Sequence, residues 1–416
     1  MTVFTPVWRL KINSVDYTKV TLASMTIESG RTNINTQAIA GYCSLRIINT
    51  NQAAVLIDIN DSLSVEIQDS TATYIPIFGG SVSEFGIEVT SSGSSAYTQT
   101  VSVTALGALS RLPKALTSGV LSQDFDGDQI LAILQDLLLN TWAEVPPALT
   151  WATYTPATET WADAQNTGLG EIDTPGDYEL AARTSNRIDM YSLVSALATS
   201  GLGYLYETAQ GQIGYADSSH RSTYLATYGY TELSANEAFS RGLKIRTKGG
   251  DVRNSISINY GANSASTVSV SDTDSIDLYG ELGQVINTTI KHSADATSQA
   301  NFYLTLRATP QANFESITYP LTNPEIGDAD RDSLLNVFMG QPVRISDLPA
   351  NMNAGIFQGF IEGWQFSTSY NQVSLTLYVS PVAYSLQAME WNEVSVLEAW
   401  NTISATLDWA NALVVA

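Results

Sequence analysis

Two stretches far apart in the chain repeat each other. Ile77-Phe78-Gly79-Gly80-Ser81-Val82-Ser83-Glu84-Phe85 leads into Gln99-Thr100-Val101-Ser102-Val103-Thr104. Downstream, Ile356-Phe357-Gln358-Gly359-Phe360-Ile361-Glu362-Gly363-Trp364-Gln365-Phe366 leads into Asn371-Gln372-Val373-Ser374-Leu375-Thr376-Leu377. Each pair follows a charge-bearing segment, Ser64-Val65-Glu66-Ile67 in the first and Pro342-Val343-Arg344-Ile345 in the second. Alternation of apolar and polar residues is the period of a strand with one buried face. The chain is therefore expected to fold one sheet motif twice, as two related β-barrels. Chance likeness between β sequences of simple composition is the competing explanation.

The rest of the chain divides by periodicity. Residues 1–110 hold short alternating runs such as Trp8-Arg9-Leu10-Lys11-Ile12 and Ser44-Leu45-Arg46-Ile47, broken by Gly, Ser and Asn. That pattern suits a compact barrel or sandwich. After Pro113, Ile130, Ile133, Leu134, Leu137 and Leu138 recur at helical offsets behind Asp128, a candidate N-cap. Met190, Leu193, Val194, Leu197 and Ala198 predict a second helix ending at Gly201-Leu202-Gly203, where glycine can take a left-handed cap. Tyr204-Leu205-Tyr206 and Gln212-Ile213-Gly214-Tyr215 flank Gln210-Gly211 and predict a hairpin. Strand patterning returns from about 240 in Leu243-Lys244-Ile245-Arg246 and Ser255-Ile256-Ser257-Ile258-Asn259-Tyr260. One helix, Asp295 to Arg307, interrupts it, and residues 334–382 read as strands again.

The expected fold class is α+β, mainly β. A first barrel covers 1–110, an α+β insertion domain 111–239, and a second barrel with one helix 240–385. A Trp-rich extension covers 386–416. Trp142, Val145, Leu149 and Trp151 share their spacing with Trp400, Ile403, Leu407 and Trp409, and Trp161 and Trp391 extend the two sets. Pro146-Pro147 rules out a helix in the first set. Six of the eight tryptophans thus fall in two segments. Trp142, Trp151, Trp161, Trp391, Trp400 and Trp409 are the candidate partner-docking residues, since large amphipathic rings bury well against another surface. With Glu144, Glu159 and Asp163 nearby, the first set is also a candidate sugar platform.

Charge narrows the function. Against 41 Asp and Glu the chain carries 19 Lys and Arg, for a net charge of −22, so binding to nucleic acid by phosphate neutralisation is excluded. Charged residues are 14% of the chain, well under the roughly 25% of average soluble proteins, so Ser, Thr, Asn and Gln must cover much of the surface. The 44% apolar content excludes disorder throughout. A single cysteine, Cys43, leaves no intramolecular disulfide and no thiolate cluster. Met1 to Ile12 has no apolar run, so no secretory signal is expected, and no window reaches the length of a membrane span. Synthesis in the cytoplasm and no stable membrane insertion are expected.

Chemical motifs are sparse. Asp124, Asp126 and Asp128 have the first spacings of a calcium loop, but glycine precedes Asp128 and Gln135 stands where a bidentate acid is needed. Asp328, Asp330 and Asp332 fail similarly, with Ser333 and Met339 at the corresponding places. Acidic loops leading into helix N-termini explain both runs. His220 and His292 are the only histidines, and His220 reads as an exposed loop residue. No Gly-x-Ser-x-Gly elbow, phosphate loop or His-Glu-x-x-His motif is present. No catalytic residue, cofactor or metal is expected. A carboxylate pair for glycoside cleavage is recognised only by its separation in space, which leaves a cell-wall-degrading enzyme open beside a carbohydrate-binding protein.

Several segments together resemble the tail-tip hubs, or minor tail proteins, of long-tailed bacteriophages. They are the helix Asp128 to Asn140 and the Leu193 helix running into Gly203-Tyr204-Leu205-Tyr206 and Gly211-Gln212-Ile213. The others are Gly340-Gln341-Pro342-Val343-Arg344-Ile345-Ser346-Asp347-Leu348-Pro349, Phe360-Ile361-Glu362-Gly363-Trp364 and Ser374-Leu375-Thr376-Leu377-Tyr378-Val379-Ser380-Pro381. Hubs of this kind are similar to the baseplate hubs of contractile-tailed phages. The resemblance implies a homotrimeric virion protein at the distal tail tip, adapting a six-fold tube to a three-fold end. Its implied partners are the distal tail protein ring, the tape-measure protein and other tail-tip or receptor-binding proteins. DNA would be a partner only in passage through the lumen.

Overall fold

The computed structural model describes residues 4–382 except 14, 18–19, 33, 35, 50–53, 92–96, 139–168, 239–244, 248–251, 311, 315, 350–354 and 370–371. The structure is mainly β with helices, as the alternation predicts. Twelve strands form one sheet. Its first part comprises Trp8–Ile12, Val15–Asp16, Val20–Gly30, Tyr42–Asn49, Ser62–Gln68, Tyr74–Ser91 and Tyr97–Leu106. Its second part comprises Thr231–Ser234, Ile317–Pro320, Pro342–Ser346, Phe357–Ser369 and Gln372–Pro381. Period two appears directly in burial: Cys43, Leu45 and Ile47 are inside while Tyr42 and Arg46 face out.

Both sequence echoes are antiparallel meanders with the same strand order. Ser62–Gln68 pairs with Tyr74–Ser91, which pairs with Tyr97–Leu106. Pro342–Ser346 pairs with Phe357–Ser369, which pairs with Gln372–Pro381. The register agrees residue by residue. Gly80 sits opposite Leu63, and Gly359 opposite Val343. Val82 sits opposite Ala105, and Ile361 opposite Val379. Immediately after these pairs each long strand bulges by one residue, Ser83 in the first and Glu362 in the second. Close approach explains the shared glycine: a Cβ on Gly80 would overlap the Leu106 carbonyl oxygen, and one on Gly359 the Ser380 carbonyl oxygen.

The two parts are joined through a shared strand. Phe357–Ser369 outlasts its neighbour Pro342–Ser346, and beyond the bulge the same edge pairs with Val20–Gly30 from Gly363–Gly30 to Ser369–Ser24. The pairings among the described residues form a path from Thr231–Ser234 to Val15–Asp16, rather than two separate closed rings. Ile27, Ile47, Leu63, Leu375 and Leu377 belong to one hydrophobic cluster, which also takes in the insert through Leu193, Val194 and Leu197.

The insert supplies helices Asp126–Leu138 and Met190–Ser200 and the hairpin Tyr204–Glu207 with Ile213–Ala216, whose turn contains Gly211 at φ +82°. The first helix starts two residues before its expected cap, and the buried Asp126 carboxylate at its start accepts from the Tyr178 N–H (2.8 Å) and the Tyr215 hydroxyl. At the end of the second helix the left-handed residue is Leu202 (φ +54°), while Gly201 has φ −82°. Those glycines answer a spatial need: a Cβ on Gly201 would meet the Asp126 carboxylate, and one on Gly203 the Tyr215 hydroxyl. A further unit places Ser255–Tyr260 between antiparallel Ser266–Ser271 and parallel Gly283–Asn287, covered by helix Ser293–Arg307 through Ala296 and Ala300. Helix Thr273–Tyr279 lies in the connection between its outer strands.

Candidate assembly site at the sheet junction

The junction of the two sheet parts holds one buried carboxylate between two buried guanidinium groups. Bulging at Glu362 turns its carboxylate inward. There Arg221 of helix His220–Tyr228 holds it at both oxygens (2.8 and 2.9 Å), Arg31 binds from the other side (2.7 Å), and the Ser380 hydroxyl donates as well. Arg31 also donates its backbone N–H to the Glu362 carbonyl (2.8 Å) and its side chain to the Thr36 carbonyl (2.8 Å). Tyr204 and Phe360 place their rings against the Arg221 guanidinium, at 4.5 and 5.1 Å. Four segments meet on one carboxylate: the end of the Val20–Gly30 strand, the insert helix and two strands of the second meander. Burial opposes the Glu362 anion, but Arg221 and Arg31 outweigh it and hold the carboxyl down at about 2.

Two other buried acids fasten the insert. Glu207 accepts from the Gly41 N–H (2.7 Å) and the Leu109 N–H, tying the insert hairpin to the first sheet part. Burial nevertheless pushes its carboxyl up to about 7, and burial raises Asp126 to about 6. Beside Glu207 lies a cavity of about 320 Å³ lined by Pro76, Tyr206, His220, Tyr224, Phe338 and Trp364. His220 begins a helix and is largely buried, a correction to its expected place in an exposed loop. Its Nδ1 lies 2.8 Å from Asp173 Oδ2. Desolvation lowers the His220 pKa, but the Asp173 hydrogen bond and the charges of Asp173, Glu171 and Asp217 together outweigh it and the net shift is upward. Glu171, Asp173 and His220 bring one donor atom each within 4.8 Å of one another, the one such His–carboxylate group among the described residues. Asp173 also accepts from the Asp217 N–H (3.0 Å), so the group already forms a hydrogen-bonded cluster.

These shifts set a pH dependence. Glu207 and Asp126 hold protons in the native state above the ordinary carboxylate range, and His220 binds its proton more tightly folded than unfolded. Folding therefore takes up protons near neutrality, and stability is expected to rise as pH falls from about 7 to about 5. Glu362 acts oppositely: its contribution is complete above the unfolded value of about 4.3 and is lost as pH falls towards 2. Thermal unfolding midpoints should peak in mildly acidic buffer, and Glu207→Gln should flatten the neutral limb. A wild-type midpoint that climbs steadily from pH 5 to about pH 8 contradicts this assignment.

The acidic runs carry structural roles. Asp328 pairs with Arg331 (2.7 Å), and Asp332 accepts from the Ser70 N–H (3.0 Å). Trp142, Trp151, Trp161, Trp391, Trp400 and Trp409 lie outside the described residues. Sequence reasoning missed the Glu362–Arg221–Arg31 cluster, although one signal was present: Glu362 interrupts the apolar run Phe360-Ile361 of a core strand.

The overall arrangement is found in other proteins. The chain is similar in structure to the 43 kDa tail protein of prophage MuSo2 from Shewanella oneidensis. That comparison gives a TM-score of 0.55 at 13% identity, over 91% of this chain and 99% of that one. The chain has the fold of phage tail proteins. A tail protein from Neisseria meningitidis MC58 gives a TM-score of 0.57 at 10% identity, over 92% and 98% of the two chains. No family model and no curated protein matches by sequence. The phage tail-protein fold thus extends over almost the whole length of both neighbours.

Proposed function

We propose that the chain is a structural protein of a phage tail, a homotrimeric hub at the distal tip that adapts a six-fold tube to a three-fold end. The observation that carries this reading is the duplicated meander, with its glycine and bulge at matching positions, inside a phage tail-protein fold. Two similar sheet parts per chain let three copies offer six near-equivalent positions to a ring above them. On this reading residues 1–110 and 240–385 form the two barrel-like units, residues 111–239 the insertion and residues 386–416 the docking extension. The distal tail ring, the tape-measure protein and receptor-binding parts are its neighbours, with the six tryptophans docking against them. If part of the net charge of −22 faces the channel, it keeps a passing DNA backbone from sticking, and a neutral or basic lumen in the assembled ring removes that role.

Labelling of intact particles tests the location. Antibody against the chain is expected to decorate only the far end of the tail. Particles carrying the chain without residues 388–416 are expected to lose most of that label. Decoration along the shaft or on the head rejects the hub reading, and undiminished label on the truncated form rejects the docking role of the extension.

A further inference from the structure

Among the described residues, the duplication leaves one edge filled in the second meander and unpaired in the first. Past its bulge, Phe357–Ser369 is paired on both sides, by Gln372–Pro381 and by Val20–Gly30. Past its own bulge, Tyr74–Ser91 is paired with Tyr97–Leu106 alone among the described residues, because Ser62–Gln68 reaches only to Ser81. Burial follows the difference. Phe366 and Trp364 are 1% and 3% exposed, whereas Ile87, which matches Phe366, is 47% exposed, and Val89 is 55% exposed. Phe85, which matches Trp364, is only partly covered. An unpaired edge carrying uncovered apolar side chains is a template for another strand.

The chain itself holds the strand that matches the filler. Val20–Gly30 borders Tyr42–Asn49, with Glu28 opposite Tyr42, and Tyr42 in turn is opposite Leu106. In the second part, Ile317 is opposite Leu377 as Leu45 is opposite Val103, which sets Phe314 at the place of Tyr42. Opposite Phe314 lies Ile245, so Ile245–Thr247 occupies the place of Glu28, Ser29 and Gly30. Its second edge has no strand partner among the described residues. Within the chain the matching contact reads Gly363–Gly30, Trp364–Ser29 and Gln365–Glu28.

We infer that strand Tyr74–Ser91 of one copy pairs antiparallel with strand Ile245–Thr247 of a second copy, setting Glu84 opposite Thr247, Phe85 opposite Arg246 and Gly86 opposite Ile245. The joint between copies repeats, over these three residues, the joint between the two sheet parts. Such a contact is heterologous, so repetition either closes a ring or continues as a filament. The inference deepens the hub reading by naming the surface and the partner, and it rests on that reading only for closure at three copies.

Cysteine pairing tests it cleanly, because the one native cysteine, Cys43, is buried. Gly86→Cys is tolerated, since nothing lies within 4 Å of a Cβ there. Full-length Gly86→Cys is mixed with full-length Ile245→Cys under mild oxidation, and Phe85→Cys with Arg246→Cys in parallel. Adjacent pairs alternate in spacing along an antiparallel ladder, so at least one mixture should give a mixed disulfide dimer while single variants alone give none. Disulfide formation traps even a minor encounter. No mixed dimer in either mixture overturns the pairing, as does equal linkage between Val89→Cys and Ile245→Cys, displaced by about 10 Å. The chain bearing both Gly86→Cys and Ile245→Cys should then close into a covalent species of three chains. Linked chains that close at another number keep the pairing and remove the three-fold reading. A trimer seen by native mass without cross-linking removes the pairing and keeps the hub.

Discussion

Replacing Glu362 with alanine is expected to destabilise the fold by about 3–5 kcal/mol, because it leaves two guanidinium groups buried without their counter-charge. Arg31 and Arg221 are both nearly inaccessible, and neither can reach water without opening the seam between the sheet parts. Glu362→Gln should recover little, since an amide keeps the shape but supplies neither the charge nor two acceptors. Ser83 provides the internal control. It occupies the matching bulge, is exposed and donates only to the Thr104 carbonyl (3.1 Å), so Ser83→Ala should stay within about 0.5 kcal/mol of wild type. Denaturant midpoints for the three variants check the contrast. Equal small losses would mean that the buried cluster does not hold the seam.

Gly359→Val and Gly80→Val are expected to be damaging in parallel. Each puts a branched side chain where the neighbouring strand's carbonyl oxygen already stands, and the strands can separate only by breaking ladder hydrogen bonds. Overpacking of this kind costs about 1–3 kcal/mol and can cost more where backbone must move. The matched positions make the comparison informative, since two independent meanders have no reason to share a glycine at the same register. Soluble yield and unfolding midpoint should fall for both variants. Wild-type values for either one would show that the match is coincidental.

How much of this was legible beforehand depended on the kind of signal. The meanders were readable because strand alternation and the repeated Gly-x-Val/Ile spacing are local, and the helices near Ile130 and Leu193 because their apolar stripes are complete. Helices His220–Tyr228 and Thr273–Tyr279 were missed because they are short and polar, with few buried residues to mark a face. Gly201 and Gly203 were readable as a helix end but for the wrong reason, since their role depends on Asp126 and Tyr215, distant in the chain. The buried cluster was hidden for the same reason. Arg31, Arg221 and Glu362 are ordinary charged residues in sequence, and only the shared strand brings them together. The fusion of two sheet parts into one was equally non-local: it follows from Phe357–Ser369 being longer than its first neighbour, which no periodicity reports.

The most direct check is a density map of the tail end of intact particles at a resolution that traces strands. Three chains should be found there, with the meander around Gly80 and the meander around Gly359 alternating about every 60° at equal radius beneath the tube. A ring of six chains, or three chains whose two meanders lie at unrelated heights and radii, would contradict it.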